Sequence, residues 1–291
     1  MQLRVVFLAV AMLGWAASAR ADDGALIERA STEVAAYSDT DHVAVLTPSV
    51  AGHVGNPTSG WSVDGSYLVD VVSAASVDIV STASRRWSEV RQAGSVRGSY
   101  KPGAWGGSVE ASASSEPDYT AYAGGGYLTR DLDDKNFTLI FGYGFGHNVI
   151  GRTGTPFSIY SHAFDQHALT AGMTALVDRR TVLTLTGDFT LASGDSSKPY
   201  RYIPLFSPSV APSVPAGATL DVVTRLRLPQ TVLERLPLSR DRYGIAARLA
   251  HRFEHATARV EGNLYDDSWG LKAVSGDGRL LFDLAARWSV G

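Results

Sequence analysis

Thr181-Val-Leu-Thr-Leu-Thr-Gly-Asp-Phe-Thr-Leu191 alternates apolar and polar side chains with a period of two residues. The apolar members share one side of an extended chain: Leu183, Leu185, Phe189 and Leu191. The polar members share the other: Thr184, Thr186, Asp188 and Thr190. Such alternation is typical of a β-strand with two chemically different faces. A tilted strand needs about 9 to 11 residues to cross a bilayer, whereas strands of soluble sandwiches average about 5 to 6, so the length favours a membrane strand.

The same alternation recurs along the chain, and it predicts about twelve strands. Their expected positions are 31–38, 42–54, 60–69, 85–101, 105–114, 119–130, 136–148, 161–178, 181–193, 242–254, 257–267 and 279–289. The turns after the even-numbered strands are short, and the longest connection, 194–241, follows the ninth. Outer-membrane barrels combine short periplasmic turns with long external loops. We therefore predict an all-β fold, an antiparallel transmembrane β-barrel of about 12 strands with long external loops and both termini in the periplasm.

The N-terminus predicts export. Arg4 precedes an apolar run from Val5 to Ala17, and Ala19-Arg20-Ala21 has the small-x-small pattern of a cleavage site. A retained anchor would need about 20 apolar residues, more than this run provides. We predict a signal peptide at 1–21 and a single barrel domain at 22–291, located in the outer membrane of a Gram-negative envelope.

Composition excludes several classes of function. The chain contains no Cys, which removes disulfides, thiolate metal sites, Cys nucleophiles and lipidation at a lipobox. Its 26 Lys and Arg against 29 Asp and Glu leave no basic field for nucleic acid. Outer-membrane lipid is the expected partner, and nucleic acid is not.

One predicted face carries charges of both signs. These lumen charges are Asp64, Glu89, Arg91, Arg97, Glu110, Asp188, Arg248, Arg252, Arg259, Glu261, Asp283 and Arg287. Mixed signs on adjacent strands favour pairing, which predicts a narrow or partly plugged lumen. Aromatic residues near the strand ends are expected to form the headgroup girdles: Trp61, Tyr67, Trp87, Tyr100, Trp105, Tyr119, Tyr127, Phe137, Trp269 and Trp288.

Acidic residues of the external connections are candidate metal ligands. The repeat Asp70-Val-Val-Ser73-Ala-Ala-Ser76 and Asp78-Ile-Val-Ser81-Thr-Ala-Ser84 places an Asp and two Ser at matching offsets. Further candidates are Glu116, Asp118 and Asp267. Carboxylate and hydroxyl oxygens suit a divalent cation, the only cofactor considered. The alternative is a solvated acidic rim with side-chain-capped turns.

The long connection, 194–241, is rich in Pro, and loops of this length are usually functional. Its segment Tyr200-Arg-Tyr-Ile203 is a candidate constriction; a surface flap and an extra hairpin around 220–228 are the alternatives.

His162, Asp165 and His167 suggest a hydrolase, but His162 falls on the opposite strand face and nothing identifies a Ser nucleophile. We predict that the protein is not an enzyme, with an outer-membrane hydrolase as the second alternative.

Several motifs resemble an uncharacterised family of bacterial outer-membrane proteins. They are Tyr67-Leu-Val-Asp70-Val-Val-Ser73-Ala-Ala-Ser76, the stretch from Arg91 to Ser99-Tyr100-Lys101, Ser115-Glu116-Pro-Asp118-Tyr119, Pro237-Leu-Ser-Arg240 and Tyr265-Asp-Asp267-Ser-Trp269-Gly270. The family is number thirty-five-seventy among the domains of unknown function. The resemblance implies an outer-membrane β-barrel in a redox or metal-linked envelope system, with envelope lipoproteins or redox proteins as partners. It supplies no catalytic residue.

That family is expected to continue past the Asp-Ser-Trp-Gly motif to an aromatic C-terminus, whereas this chain stops at Trp288-Ser-Val-Gly291, so a C-terminally shortened barrel is one expectation. The leading function is a narrow or gated porin-like pore, or a docking scaffold for envelope partners. The alternative is a barrel that binds a cation or ligand through its acidic external loops.

Overall fold

The structure is a computed structural model that describes residues 13–15, 26–38, 44–73, 88–285 and 288–290. Its strands, in chain order, are β1 (Leu13–Trp15), β2 (Ile27–Ser38), β3 (Ala44–Asn56), β4 (Trp61–Ser73), β5 (Ser88–Tyr100), β6 (Trp105–Glu116), β7 (Tyr119–Leu132), β8 (Phe137–Ile150), β9 (His162–Asp178), β10 (Thr181–Gly194), β11 (Tyr202–Pro204), β12 (Thr231–Leu233), β13 (Ser239–Arg252), β14 (Ala256–Asp267), β15 (Lys272–Ala285) and β16 (Trp288–Val290).

All strands except β11 and β12 form one antiparallel sheet in chain order. Twelve of its strands are long, and each overlaps one of the twelve predicted strands, so the all-β prediction and the strand number are confirmed. β10 pairs with β13 across the long connection. β2 pairs with β1 and β3, β15 pairs with β14 and β16, and no pairing joins β2 to β15 within the described residues. The helices of the described residues are all too short to span a membrane.

The last long strand departs from its predicted position. It was expected at 279–289, whereas β15 is Lys272–Ala285. Its first half places Gly276 and Gly278 on the face where the later residues Leu280 and Phe282 lie. Glycine carries no side chain to mark that face, so the apolar alternation becomes visible only from Leu280 onward.

The register of the sheet sorts the side chains into two faces, because residues directly opposite each other on paired strands point to the same side. Asp64 lies opposite Arg97, and Arg97 lies opposite Glu110. We call the face that carries these three residues the polar face, and the other the apolar face. Tyr143, Leu169 and other members of the apolar face follow the same rule in the central strands.

The apolar face is not covered by other parts of the described chain. Its exposed side chains include Val63, Val96, Val109, Leu128, Phe141, Leu169, Ile245, Val260 and Leu264. Val109 is 69% exposed and Leu128 60%, although both lie inside long strands. Among the described residues, the buried hydrophobic side chains are Ile150 and Ala175, which lie at opposite ends of the β8–β9 pair and form no common core. The apolar residues of this sheet therefore lie on a face that no described part of the chain covers.

The two ends of the sheet differ in their connections. The lower end has only short turns, at 57–60, 101–104, 133–136, 179–180 and 253–255. The described connections at the upper end are 117–118, 151–161, 195–238 and 268–271, and the strands that flank residues 39–43 and 74–87, which lie outside the described residues, also end there. The long connections follow β4, β8 and β10, as the alternation predicted, but the connection after β14 is as short as the lower turns, because β15 begins at Lys272 and not at 279. Of the predicted signal peptide only Leu13–Trp15 is described, and cleavage after residue 21 stays a prediction.

The long connection, 195–238, contains the short hairpin of β11 and β12, a 3-10 helix at Ala211–Ser213 and the helix α1, Leu220–Leu226. The hairpin considered around 220–228 was wrong in position, because that stretch is helical. Asp221 in the first turn and Arg225 in the last turn match the helix dipole.

Two of the predicted girdle residues lie on the other face. Tyr119 is opposite Glu116 and Tyr127 is opposite Ser108, so both belong to the polar face. Trp61, Tyr67, Tyr100, Trp105 and Phe137 do lie on the apolar face. Trp269 contacts Arg240 in an upper turn, with 4.4 Å between the guanidinium carbon and the ring centre. Trp87 and the side chain of Trp288 lie outside the described part of the chain.

Candidate functional site

Eleven of the twelve predicted lumen charges share the polar face. They are Asp64, Glu89, Arg91, Arg97, Glu110, Asp188, Arg248, Arg252, Arg259, Glu261 and Asp283. Arg287 lies outside the described residues. Alternation along each strand placed these side chains correctly relative to one another, since a two-residue period fixes the face.

On the last strands, charges of the polar face pair with neighbours. Arg248 Nη2 lies 2.6 Å from Glu261 Oε2, and Arg252 pairs with Asp283. The side chains stay accessible, with Arg248 61% and Glu261 29% exposed. The pairs therefore run along the surface of β13 to β15 and remain accessible to solvent, and the narrow or partly plugged lumen stays a prediction.

On the first strands, the polar face forms a hollow of about 960 Å³. We call it the β2–β6 hollow; its charged lining residues on this face are Arg29, His53, Asp64, Arg97 and Glu110. These five residues lie opposite one another in a single row across β2 to β6. His53 Nδ1 is 2.7 Å from Asp64 Oδ1, and Arg97 donates a hydrogen bond of 3.2 Å to Ser108 Oγ.

A second group of acids lies at the upper rim. Carboxylate oxygens of Glu89, Glu116 and Asp118 lie within 4.8 Å of one another, and we call these three residues the rim acid cluster. Glu89 is the second residue of β5, Glu116 is the last residue of β6, and Asp118 is in the following turn, so all three lie near or beyond the upper strand ends. Burial, together with the adjacent Asp118 and Glu116, raises the pKa of Glu89 to about 8. One proton is therefore retained near neutral pH.

The structure brings together only part of the predicted metal set. Glu116 and Asp118 meet in the rim acid cluster. Asp70 accepts a hydrogen bond of 2.6 Å from Thr47 and lies 3.7 Å from Arg91, which also approaches Glu116.

Asp267 is separate from the rim acid cluster. Its carboxylate is bound by Arg240 and Tyr265, and it accepts backbone N–H groups of Trp269 and Leu271. This arrangement closes the β14–β15 turn. Asp78 lies outside the described residues.

The long connection reaches the rim acid cluster. Tyr200 donates its hydroxyl hydrogen to Asp118, and Thr153 Oγ1 donates to the same carboxylate at 3.0 Å. Lys198 Nζ lies 5.0 Å from the centre of the Tyr119 ring. Because the connection leaves from β10 and returns to β13, these contacts carry it across the upper end to the β6–β7 turn. Whether Tyr200 forms the constriction considered from the sequence stays a prediction.

The residues considered for hydrolysis do not form a triad. Asp165 lies 2.7 Å from His147, and His167 lies 2.8 Å from the Tyr143 hydroxyl, both on the apolar face. His162 is on the polar face and contacts Tyr160 and Asp195. His162 is thus on the other face of the sheet from Asp165 and His167, as the two-residue period predicted. The three side chains therefore cannot act on one substrate atom.

Sequence reasoning missed Glu89 as part of the rim acid cluster, since it assigned that residue only to the lumen. It also missed Thr153 and Lys198, which no motif distinguishes. Their proximity arises because the long connection bends over the sheet. Comparison with known proteins adds no assignment: no protein-family model matches the chain, and no curated protein matches it.

Proposed function

We propose that this chain closes into an outer-membrane β-barrel by pairing β2 with β15, and that it acts as a narrow pore whose upper mouth is crossed by the connection 195–238. The observation that carries the proposal is the uncovered apolar face. An apolar strand surface that large is not left in water by ordinary soluble proteins, and lipid is the solvent that suits it.

The free-energy cost of exposing the apolar face to water supports placing that face in lipid. Burying one large apolar side chain contributes about 1.5 to 3 kcal/mol, so dozens of exposed ones would strongly favour aggregation in water. Phe141, at 58% exposure, and Ile245, at 59%, lie in the interior of their strands. Closure also removes the free edges of the sheet, which would otherwise template association between molecules.

A pore follows from the polar face. Inside a barrel its charges would face one another, and the pairs of β13 to β15 are accessible to solvent along one wall. A wall whose charges are accessible to solvent leaves space for a solute. The connection 195–238, which Tyr200 holds at Asp118, narrows the upper mouth of the barrel. The docking-scaffold alternative, with the envelope lipoproteins or redox partners implied by the resemblance, requires no such passage.

Conductance separates pore from scaffold. The backbone N–H of Leu236 donates to Ser197 Oγ at 3.0 Å, so the two ends of the long connection are already close together. Residues 198–235 can therefore be replaced by two glycines without stretching β10 or β13. In planar bilayers we expect small, fluctuating currents from the parent protein and larger, steadier ones from the shortened variant.

A matched control is Tyr200→Phe, which removes only the hydroxyl that contacts Asp118. We expect it to lengthen the open periods without raising the maximal conductance. Absence of current from both parent and shortened protein, shown to be folded by circular dichroism, would refute the pore and favour the scaffold.

The rim acid cluster supports a second candidate, the binding of a divalent cation. Three carboxylates within 4.8 Å suit calcium, and binding to the folded state alone raises stability. We expect calcium to raise the unfolding temperature of the parent in detergent and Glu116→Gln to remove that increase. Asp188→Asn, on the same face but outside the cluster, is the control. An equal response of both variants would exclude the site.

A further inference from the structure

Two charged side chains of the β2–β6 hollow have no partner among the side chains that the structure describes. Arg29 and Glu110 lie at the opposite ends of the row of five charges, and both are exposed to the hollow. Within the part of the chain that the structure describes, neither makes a hydrogen bond or an ion pair with another side chain. An arginine and a glutamate of opposite sign therefore remain available in the same hollow.

The register would allow Glu110 to pair, since Arg97 is directly opposite. Instead, the guanidinium of Arg97 donates to Ser108 and lies 5.9 Å from the centre of the Tyr127 ring, on the side away from Glu110. Arg248 and Glu261 occupy the same cross-strand relation and do pair, at 2.6 Å. The lack of a partner for Glu110 therefore comes from the contacts of Arg97 and not from sheet geometry.

The floor between these charges is small and polar. Ser66, Ser95 and Ser112 lie opposite one another in the next row, and the Ser66 and Ser95 hydroxyl oxygens are 2.7 Å apart. Hydroxyls can donate to or accept from a bound solute. Short side chains also explain why the wall recedes here and leaves a hollow of about 960 Å³.

The distance between Arg29 and Glu110 sets the length of a solute that can contact both side chains. Arg29 and Glu110 are four strands apart, about 19 Å along the sheet at about 4.8 Å per strand. In a closed barrel the wall curves and both side chains point inward, which shortens the gap between their ends. An extended tripeptide is about 10 Å long at about 3.4 Å per residue and matches such a gap.

We propose that the β2–β6 hollow binds a small zwitterionic solute of peptide size, with its carboxylate at Arg29 and its ammonium at Glu110. The proposal rests on the proposed function only for the barrel closure and for the route by which solute enters. Arg binds carboxylates with paired N–H donors, and Glu accepts from an ammonium group. A solute with one charge satisfies one residue and leaves the other without a counter-charge.

Triglycine is the probe, and its binding to the detergent-folded protein is measured by isothermal titration calorimetry. We expect Glu110→Gln and Arg29→Gln each to weaken binding roughly tenfold, the effect of losing one charged hydrogen bond of about 1.4 kcal/mol. Asp188→Asn, a charge change on the same face outside the hollow, should leave binding unchanged. Circular dichroism and heat-modifiable migration in gels establish that each variant is folded.

Modified peptides test which end binds where. N-acetyltriglycine lacks the ammonium, so its weaker binding should be insensitive to Glu110→Gln but still sensitive to Arg29→Gln. Triglycine amide lacks the carboxylate and should show the reverse. Binding that responds equally to all variants, or no triglycine binding by the folded parent, would overturn the proposal.

The result is separable from that of the pore experiment. Calorimetry requires no current, so triglycine binding without conductance would refute the pore and retain the solute site. Conductance without triglycine binding would retain the pore and refute the site.

Discussion

Substitution of Leu185 by Arg tests whether the apolar face lies in lipid. Leu185 is the fifth residue of β10, is 38% exposed, and lies opposite Met173 and Ala247 on that face. Its neighbour Thr186 points to the polar face between Gly172 and Ala246, where small residues leave room for a longer side chain. Leu185→Arg and Thr186→Arg therefore place the same charge on opposite sides of one strand.

The depth of Leu185 in the bilayer sets the size of the expected loss in unfolding free energy. A strand rises about 3.4 Å per residue, or about 2.4 Å along the membrane normal at a tilt of about 45°. Four residues above Thr181, Leu185 lies about 10 Å into an apolar band about 25 Å tall, close to its middle. Arg near the midplane costs about 2 to 4 kcal/mol, which is roughly a 30- to 1,000-fold loss in the folding equilibrium.

Urea titration in phospholipid vesicles, followed by tryptophan fluorescence, measures that loss. We expect Leu185→Arg to lower the unfolding free energy by about 2 to 4 kcal/mol and Thr186→Arg to change it by less than about 1 kcal/mol. Equal losses at the two positions would show that the faces are wrongly assigned. No loss at either would show that the apolar face is not in lipid.

Three further predictions follow from individual contacts. A Cβ on Gly142 would overlap the Tyr127 ring, so Gly142→Ala should destabilise the protein by about 1 to 3 kcal/mol in urea titration, and Tyr127→Leu should relieve much of that loss. Because the pKa of Glu89 is raised from 4.5 to about 8, the folded state holds the proton more tightly, and this contribution to stability is complete below pH 4.5 and lost as pH rises through 8. Urea midpoints at pH 5 and pH 9 should therefore differ less in Glu89→Gln than in the parent protein. Since Arg248 is 61% and Glu261 29% exposed, Glu261→Gln should cost less than about 1 kcal/mol; a loss of several kcal/mol would indicate a dry interior.

The sequence by itself determined the strands and their faces. A pleated strand sends alternate side chains to opposite sides, so the pattern in 181–191 identifies both the strand and its apolar face without knowledge of its neighbours. The same local rule separated Asp165 from His162 and placed eleven charges from seven strands on a common face. The alternation did not reveal the first half of β15, because Gly276 and Gly278 have no side chains to show which face they lie on.

Only the tertiary structure decided which group each charge contacts. Arg97 turns to Ser108 and leaves Glu110 without a partner, whereas Arg248 binds Glu261 from an equivalent position. Likewise, Tyr200 reaches Asp118 across 82 residues of sequence. The face to which a side chain points is a local property of the backbone. The group that it contacts depends on the register of the strands, on side-chain rotamers and on the path of a long connection. These arise from contacts between distant residues, which a two-residue period does not encode.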